Sequence, residues 1–337
     1  MATYVERLQS FLLSRGQQSG HRSLTADAST REYFRIGWHG HTAVACVYPE
    51  PFLSAEQSYL DVTRLFAAGG LPVAEILDFD GELGVIVQED LGDRVLRDIL
   101  IASTSPNQHK RKLDEAISLI AQIQVLTPKA FEMNSIASKL KFDKEKLLWE
   151  FNFFKEHYFT TYLKHPLSPV EDSSLAIEFN EIAAELETCA TVLCHRDFHA
   201  ANLMLDNRDR MRIIDHQDAR IGSPTYDLVS LLLDRITEPP SREWLAEKRK
   251  YFLNVRTRLG LRKLDEDEFA NEFRLQTIQR CLKAAGTFSF QSVNRGKTYF
   301  IPFIIPMFRI SLRAAESLGR FDCIQQILTR EIEQSNP

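Results

Sequence analysis

Three short apolar runs near the middle of the chain, at 191–194, 203–205 and 211–214, have the length and branching of β-strands. The loop after the first reads His195-Arg196-Asp197-Phe198-His199-Ala200-Ala201-Asn202, and the third run ends on Asp215. Asp206, Asn207 and Asp209, between the last two runs, suit a hairpin turn because their short polar side chains bond to nearby backbone. That hairpin brings Asn202 and Asp215 to the same end of a strand pair. Any fold that accommodates it sets an amide oxygen beside a carboxylate, with Asp197 on the adjoining loop.

Phosphoryl transfer from ATP needs those groups: one carboxylate near the attacking hydroxyl and two oxygen ligands for Mg²⁺. Asp197 is the expected catalytic residue, orienting or deprotonating the acceptor. Asn202 and Asp215 are the expected metal ligands, since Mg²⁺ is a hard ion that prefers oxygen. A lone H-x-D is more often a capped turn. The Asn, the strands and Asp215 in register make the kinase reading much the stronger.

The 337 residues, 44% of them hydrophobic, suffice for two lobes with substantial cores. A formal charge of −5 gives no general attraction for nucleic acid or a membrane surface. No apolar run reaches bilayer length, and the amphipathic opening stretch is not a signal peptide. Five scattered cysteines without C-x-x-C pairing argue against zinc and against a disulfide framework, so a reducing cytoplasm is the expected setting. Oligomeric state is not legible.

Along the chain, Val5, Leu8 and Leu12 suggest an opening helix. Strand-like pieces at 23–25, 33–36 and 42–48 follow, then a helix over 54–68 stopped by Gly69-Gly70, then strands at 74–79 and 84–88. Beyond Gly92 the spacing turns helical: Leu113, Ile117, Ile120 and Gln124 share a face, as do Leu147, Phe151, Phe154 and Tyr158, and Leu175, Phe179, Ile182 and Leu186. The expected fold is α+β and bilobal: a small β-rich nucleotide-binding lobe over 1–92, and a larger, mostly helical catalytic and acceptor-binding lobe over 93–337. Gln88-Glu89-Asp90-Leu91-Gly92 lies where the lobes join, which assigns Glu89 and Leu91 to the adenine site by position.

His195 to Asn202, Ile214-Asp215-His216-Gln217-Asp218-Ala219-Arg220 and Gly222-Ser223-Pro224-Thr225-Tyr226-Asp227-Leu228 together resemble the aminoglycoside phosphotransferase/choline kinase-like superfamily. Within it they look most like the anomeric N-acetylmuramate/N-acetylglucosamine kinases of cell-wall recycling. The resemblance implies a protein-kinase-like fold, ATP and Mg²⁺ as cofactors, and a small-molecule acceptor phosphorylated at the C1 hydroxyl of an amino sugar. It makes Asp197 the base, Asn202 and Asp215 the Mg²⁺ ligands, and His195 and Asp227 structural supports of the loop. The string from Thr25 to Arg35, with Asp27, Ala28, Ser29 and Thr30, resembles that subgroup's phosphate-facing hairpin. Gln217, Asp218 and Arg220 are close enough to reach a sugar or to order the loop.

Several residues depart from these patterns. The third strand has no Lys for the phosphates, so Arg31 or Arg35, with backbone N–H groups around Asp27–Thr30, is expected to supply the positive charge. Ala200-Ala201 replaces Ser-Arg, Leu233 stands where an Arg is expected, and His216 replaces Phe. Trp149-Glu150 with Phe153-Phe154 offers an aromatic face and a carboxylate, with Glu150 the expected sugar contact. An aminoglycoside or amino-alcohol acceptor, or a regulatory pseudokinase, remains the alternative.

Overall fold

The computed structural model describes residues 2–18, 20–24 and 30–335. Five antiparallel strands form the N-terminal sheet: β1 (His21–Leu24), β2 (Glu32–Trp38), β3 (His41–Val47), β4 (Ile76–Asp80) and β5 (Val85–Glu89), in spatial order β1-β2-β3-β5-β4. Strand alternation gives the sheet two different faces. Phe34, Ile36 and Trp38 of β2 point outward with Ala43, Ala45 and Val47 of β3, and all are buried. Helix α1 (Tyr4–Ser14) seals that face with Leu8, Phe11 and Leu12, the Phe11 ring lying 5.9 Å from Trp38. A Thr3–Glu6 capping box fixes the start of α1. The opposite face, carrying Tyr33, Arg35, Val44 and Cys46, is left to roof a cleft.

Helix α2 (Ser58–Ala68) crosses between β3 and β4; it begins four residues later than its sequence pattern suggests because Gln57 caps it. Gly69 ends it where a Cβ would lie 2.3 Å from the Leu126 side chain, so any larger residue would force that leucine to move. After the linker the chain is mostly helical: α3 (Leu96–Ala102), α4 (Pro106–Val125), α5 (Thr127–Glu132), α6 (Ile136–Lys139), α7 (Lys144–Lys155), α8 (Pro169–Cys189), α9 (Tyr226–Leu233), α10 (Arg242–Arg258), α11 (Glu266–Asn294), α12 (Ile304–Leu318) and α13 (Asp322–Gln334). The stripes Leu147-Phe151-Phe154 and Leu175-Phe179-Ile182-Leu186 are buried in one core. Helix α7 runs on into a wider π-helical turn, Glu156–Tyr162. Helix α11 crosses α7 so closely that a Cβ on Gly286 would lie 2.6 Å from the Phe154 Cα. This is a two-lobed, protein-kinase-like architecture. No helix among the described residues is long and apolar enough to cross a membrane.

Two short sheets hold the central loops. Strand β6 (Val192–Cys194) pairs with β9 (Arg220–Gly222), and β7 (Leu203–Leu205) forms the hairpin with β8 (Met211–Ile213). That hairpin is tied to the first lobe. The Ile213 N–H donates to the Pro72 carbonyl (2.9 Å), and Arg212 reaches the Val73 carbonyl (2.7 Å) and the Glu89 carboxylate (2.9 Å). Helix α2 supplies a second tie. His216 is fully buried, stacked 4.9 Å from Tyr59 and 5.3 Å from Phe66, with Nε2 2.7 Å from Thr63 Oγ1.

Asp206 organises the β7–β8 turn. It accepts from the N–H groups of Arg208 (2.9 Å) and Arg210 (3.1 Å) and pairs with the Arg210 guanidinium (2.7 Å). Burial pushes its carboxyl up, but the Arg210 side chain and both N–H groups outweigh this and hold it at about 2. A depressed native pKa stabilises the fold fully above the unfolded value and loses that contribution as pH falls toward 2. Asp206→Ala should therefore lower stability by about 2 kcal/mol at pH 7. The gap to wild type in urea midpoints should stay flat from pH 8 to 5 and narrow below 4; a gap that widened on acidification would contradict this account.

Candidate active site

The loop after β6 takes its shape from one buried carboxylate. Asp227, in the first turn of α9 and fully buried, accepts from the N–H of His195 (2.7 Å) and of Arg196 (3.0 Å). Arg196 is thereby held at φ 84°, a left-handed conformation unfavourable for a residue with a Cβ. The His195 ring donates from Nε2 to the Ile214 carbonyl (3.0 Å), binding the loop to the segment that precedes Asp215. Asn202 Nδ2 donates to the Asp197 carbonyl (2.9 Å) and lies 3.4 Å from Asp215 Oδ2. Asp197, Asn202 and Asp215 thus share the wall of one cleft of about 810 Å³, which extends to the inner face of the sheet and to the linker.

Asp197 is half-buried. Burial pushes its carboxyl up, but the positive charges of Lys283, Arg196 and Arg280 outweigh that and hold it well below the usual carboxylate range. It is therefore an ionised acceptor for a proton. The amide oxygen of Asn202 and the carboxylate of Asp215 are hard donors beside open space, a set that suits Mg²⁺, which keeps several waters and completes its shell with phosphate oxygens.

The structure separates the two arginines near the β1–β2 turn. Arg31 reaches Asp215, with Nη2 3.2 Å from its Oδ1 and its guanidinium over the rings of Tyr33 (5.8 Å) and Tyr48 (5.6 Å). Arg35 instead belongs to the lobe junction, where it pairs with Asp90 (2.7 Å) and Asp93 (2.9 Å). It lines the cleft, but its charge is neutralised there. Thr30 accepts from the Tyr4 hydroxyl (3.0 Å); Asp27, Ala28 and Ser29 lie outside the described residues.

At the linker Glu89 lines the cleft, with its carboxylate engaged by Arg212 and its N–H by the Glu75 carbonyl (2.8 Å). The Leu91 N–H has no internal partner among the described residues, and Leu91 lines the cleft. Gln217 also lines the cleft and donates from Nε2 to Asp215 Oδ1 (2.9 Å). Asp218 pairs with Arg196 (3.1 Å).

Two expected sugar contacts are placed elsewhere. Arg220 is buried, its Nε donating to the Asp218 carbonyl (3.1 Å) and its guanidinium 5.2 Å from the Phe142 ring, so it orders the loop. Glu150 is fully buried on the core side of α7, accepting from Gln279 (2.6 Å), and does not line the cleft. Helical geometry explains this: Glu150 follows Leu147 by three positions and shares its buried face, whereas Trp149 points to solvent under Lys146 (3.9 Å).

Sequence reasoning did not find Arg235, Arg280 or Lys283. Arg235 follows α9 at φ 48° and lines the cleft two positions after the Leu233 that occupies the expected Arg site. Arg280 and Lys283 sit in a long helix whose pattern otherwise reads as core, and nothing local marks them.

The family described as "Phosphotransferase enzyme family" matches residues 21–264. An N-acetylmuramate/N-acetylglucosamine kinase of Neisseria meningitidis serogroup B is 31% identical over 296 residues, covering 86% of this chain and 85% of its own length. Among solved structures, choline kinase from Streptococcus pneumoniae superposes with a TM-score of 0.57 at 13% identity, over 94% of this chain and 100% of that one. A thermostable aminoglycoside phosphotransferase mutant in ternary complex with ADP and hygromycin B gives 0.54 at 18% identity, over 91% and 98%. The family match runs through the sheet, the linker and the loop bearing Asp197, Asn202 and Asp215, and the chain belongs to the phosphotransferase enzyme family.

Proposed function

We propose that this phosphotransferase moves the γ-phosphoryl group of ATP to the anomeric C1 hydroxyl of an amino sugar, N-acetylmuramate or N-acetylglucosamine. The observation that carries the chemistry is the convergence of an ionised Asp197 with Asn202 and Asp215 on one cleft wall. The choice of sugar rests on the Neisseria relative, whose similarity spans both lobes. The cations acting on Asp197 favour it over an aminoglycoside or an amino-alcohol, which would bring further positive charge to Lys283, Arg280 and Arg196.

In this reading adenine lies against the linker, with the Leu91 N–H as its main-chain donor, and the phosphates reach toward Asp215. Asn202 and Asp215 would hold Mg²⁺, which when bound neutralises charge on the phosphates. Arg31, already at Asp215, turns its guanidinium to the phosphate oxygens in place of a strand lysine. The C1 oxygen attacks the γ-phosphorus, the bond to the ADP oxygen breaks, and the hydroxyl proton passes to Asp197. An anomeric hydroxyl is more acidic than an ordinary alcohol, so a carboxylate with a low pKa suffices, and much of its work is orientation.

Asp197→Asn should lower kcat by about 10²–10⁴-fold while leaving ATP binding within a few-fold, measured by turnover and nucleotide titration. Phosphorus NMR of the product should show a phosphate coupled to the anomeric proton; phosphate on a primary or 3-hydroxyl would exclude the reading. Arg31→Ala should raise the ATP KM about tenfold or more, as expected for the loss of a charged phosphate contact. Arg35→Ala should lower thermal stability instead, with a smaller change in KM. The reverse ranking would place the phosphate cation at Arg35.

A further inference from the structure

Arg31 and Arg35 both line the cleft, and the sheet holds them in opposite ways. Arg35 is fixed by two carboxylates, Asp90 (2.7 Å) and Asp93 (2.9 Å), which orient it and cancel its charge together. Arg31 has the rings of Tyr33 and Tyr48 beside its guanidinium, at 5.8 and 5.6 Å, and meets Asp215 at its tip (3.2 Å). Both tyrosines line the same cleft.

Strand register explains the arrangement. Tyr33 of β2 stands opposite Cys46 of β3, and Glu32 stands opposite Val47. One residue further along, Arg31 falls opposite Tyr48. Cross-strand partners share a face of the sheet, and Tyr33 and Tyr48 are diagonal neighbours on it. Phe52 braces Tyr48 in turn, meeting its ring edge-on at 5.2 Å. Burial pushes both phenols well above their ordinary value, so the two rings stay neutral.

A long arginine side chain loses much rotamer freedom when it is ordered, and its planar guanidinium stacks well on aromatic faces. A ring attracts a cation through its quadrupole. Two rings therefore orient Arg31 without supplying a counter-charge, whereas the carboxylates at Arg35 orient and neutralise at once. Asp215 is also the expected Mg²⁺ ligand, so its ion pair with Arg31 is a contact that phosphate can replace.

We propose that Tyr33 and Tyr48 are positioning residues for the phosphate-binding cation, holding the Arg31 guanidinium at the Asp215 end of the cleft with its charge available to the nucleotide's phosphates. This rests on the role given to Arg31 above and adds what anchors that cation in place of a strand lysine.

The test is nucleotide affinity in the absence of any sugar, so it does not depend on the identity of the acceptor. Adenosine and Mg²⁺-ATP are titrated calorimetrically against Tyr48→Phe and Tyr33→Phe, and against the same positions carrying mono-, di- and trifluorinated phenylalanine. Fluorine drains the negative potential of the ring face at nearly constant volume, so packing and folding are preserved. ATP affinity should fall stepwise, by about 3- to 30-fold across each series, while adenosine affinity stays unchanged. On an Arg31→Ala background the same series should be flat for ATP. A flat series with Arg31 present, while Arg31→Ala itself weakens ATP binding, would overturn the proposal and leave the rings as packing. Parallel losses for adenosine would also overturn it and make the rings contacts of the base. Arg31→Ala that binds ATP as tightly as the wild type would remove Arg31 from the phosphates, and this assignment with it.

Discussion

The buried carboxylate of Asp227 is the interaction on which the site depends. It has no cation within ion-pair distance among the described residues, and instead takes two main-chain N–H groups from consecutive residues of the catalytic loop. Those bonds recover part of its desolvation, though burial still holds the carboxyl above the usual carboxylate range, and they hold the left-handed backbone at Arg196. Because α9 sits in the helical core, the loop inherits the rigidity of that core. His195 then passes the constraint to the Asp215 segment through the Ile214 carbonyl, so Asp197, Asn202 and Asp215 are fixed relative to one scaffold.

The two lobes are joined by more than the linker. Arg212 bonds to Glu89 and to the Val73 carbonyl, Ile213 continues to Pro72, and α2 reaches His216 through Thr63. A histidine following Asp215 suits this seam better than a phenylalanine would, since it stacks against Tyr59 and Phe66 and also bonds to the Thr63 hydroxyl. The catalytic hairpin thus belongs mechanically to both lobes.

What the sequence made legible follows from the range of each interaction. Asn202 and Asp215 were readable because strands and turn residues between them fix their relation locally. Helix faces such as Leu175-Phe179-Ile182-Leu186 were readable because burial on a helix is periodic. Glu150 was misplaced because a charged residue beside Trp149 reads as exposed, while its partner Gln279 lies 129 positions away on another helix. Arg31 and Arg35 could not be separated for a similar reason: the carboxylates that pair with Arg35 stand at the linker, distant in sequence.

The alternation along β2 has a consequence for how this sheet tolerates change. Phe34 and Ile36 touch only the α1 side, whereas Tyr33 and Arg35 look into the cleft. Neighbouring positions in one strand are therefore subject to unrelated selective pressures, one set by packing volume and the other by ligand chemistry. Drift on the outer face can proceed by compensating swaps with α1 without disturbing nucleotide recognition. Divergence among such sheets is then expected to come in two interleaved halves, odd positions of β2 and even positions of β3 recording what the cleft holds and the alternate positions recording only what covers its back.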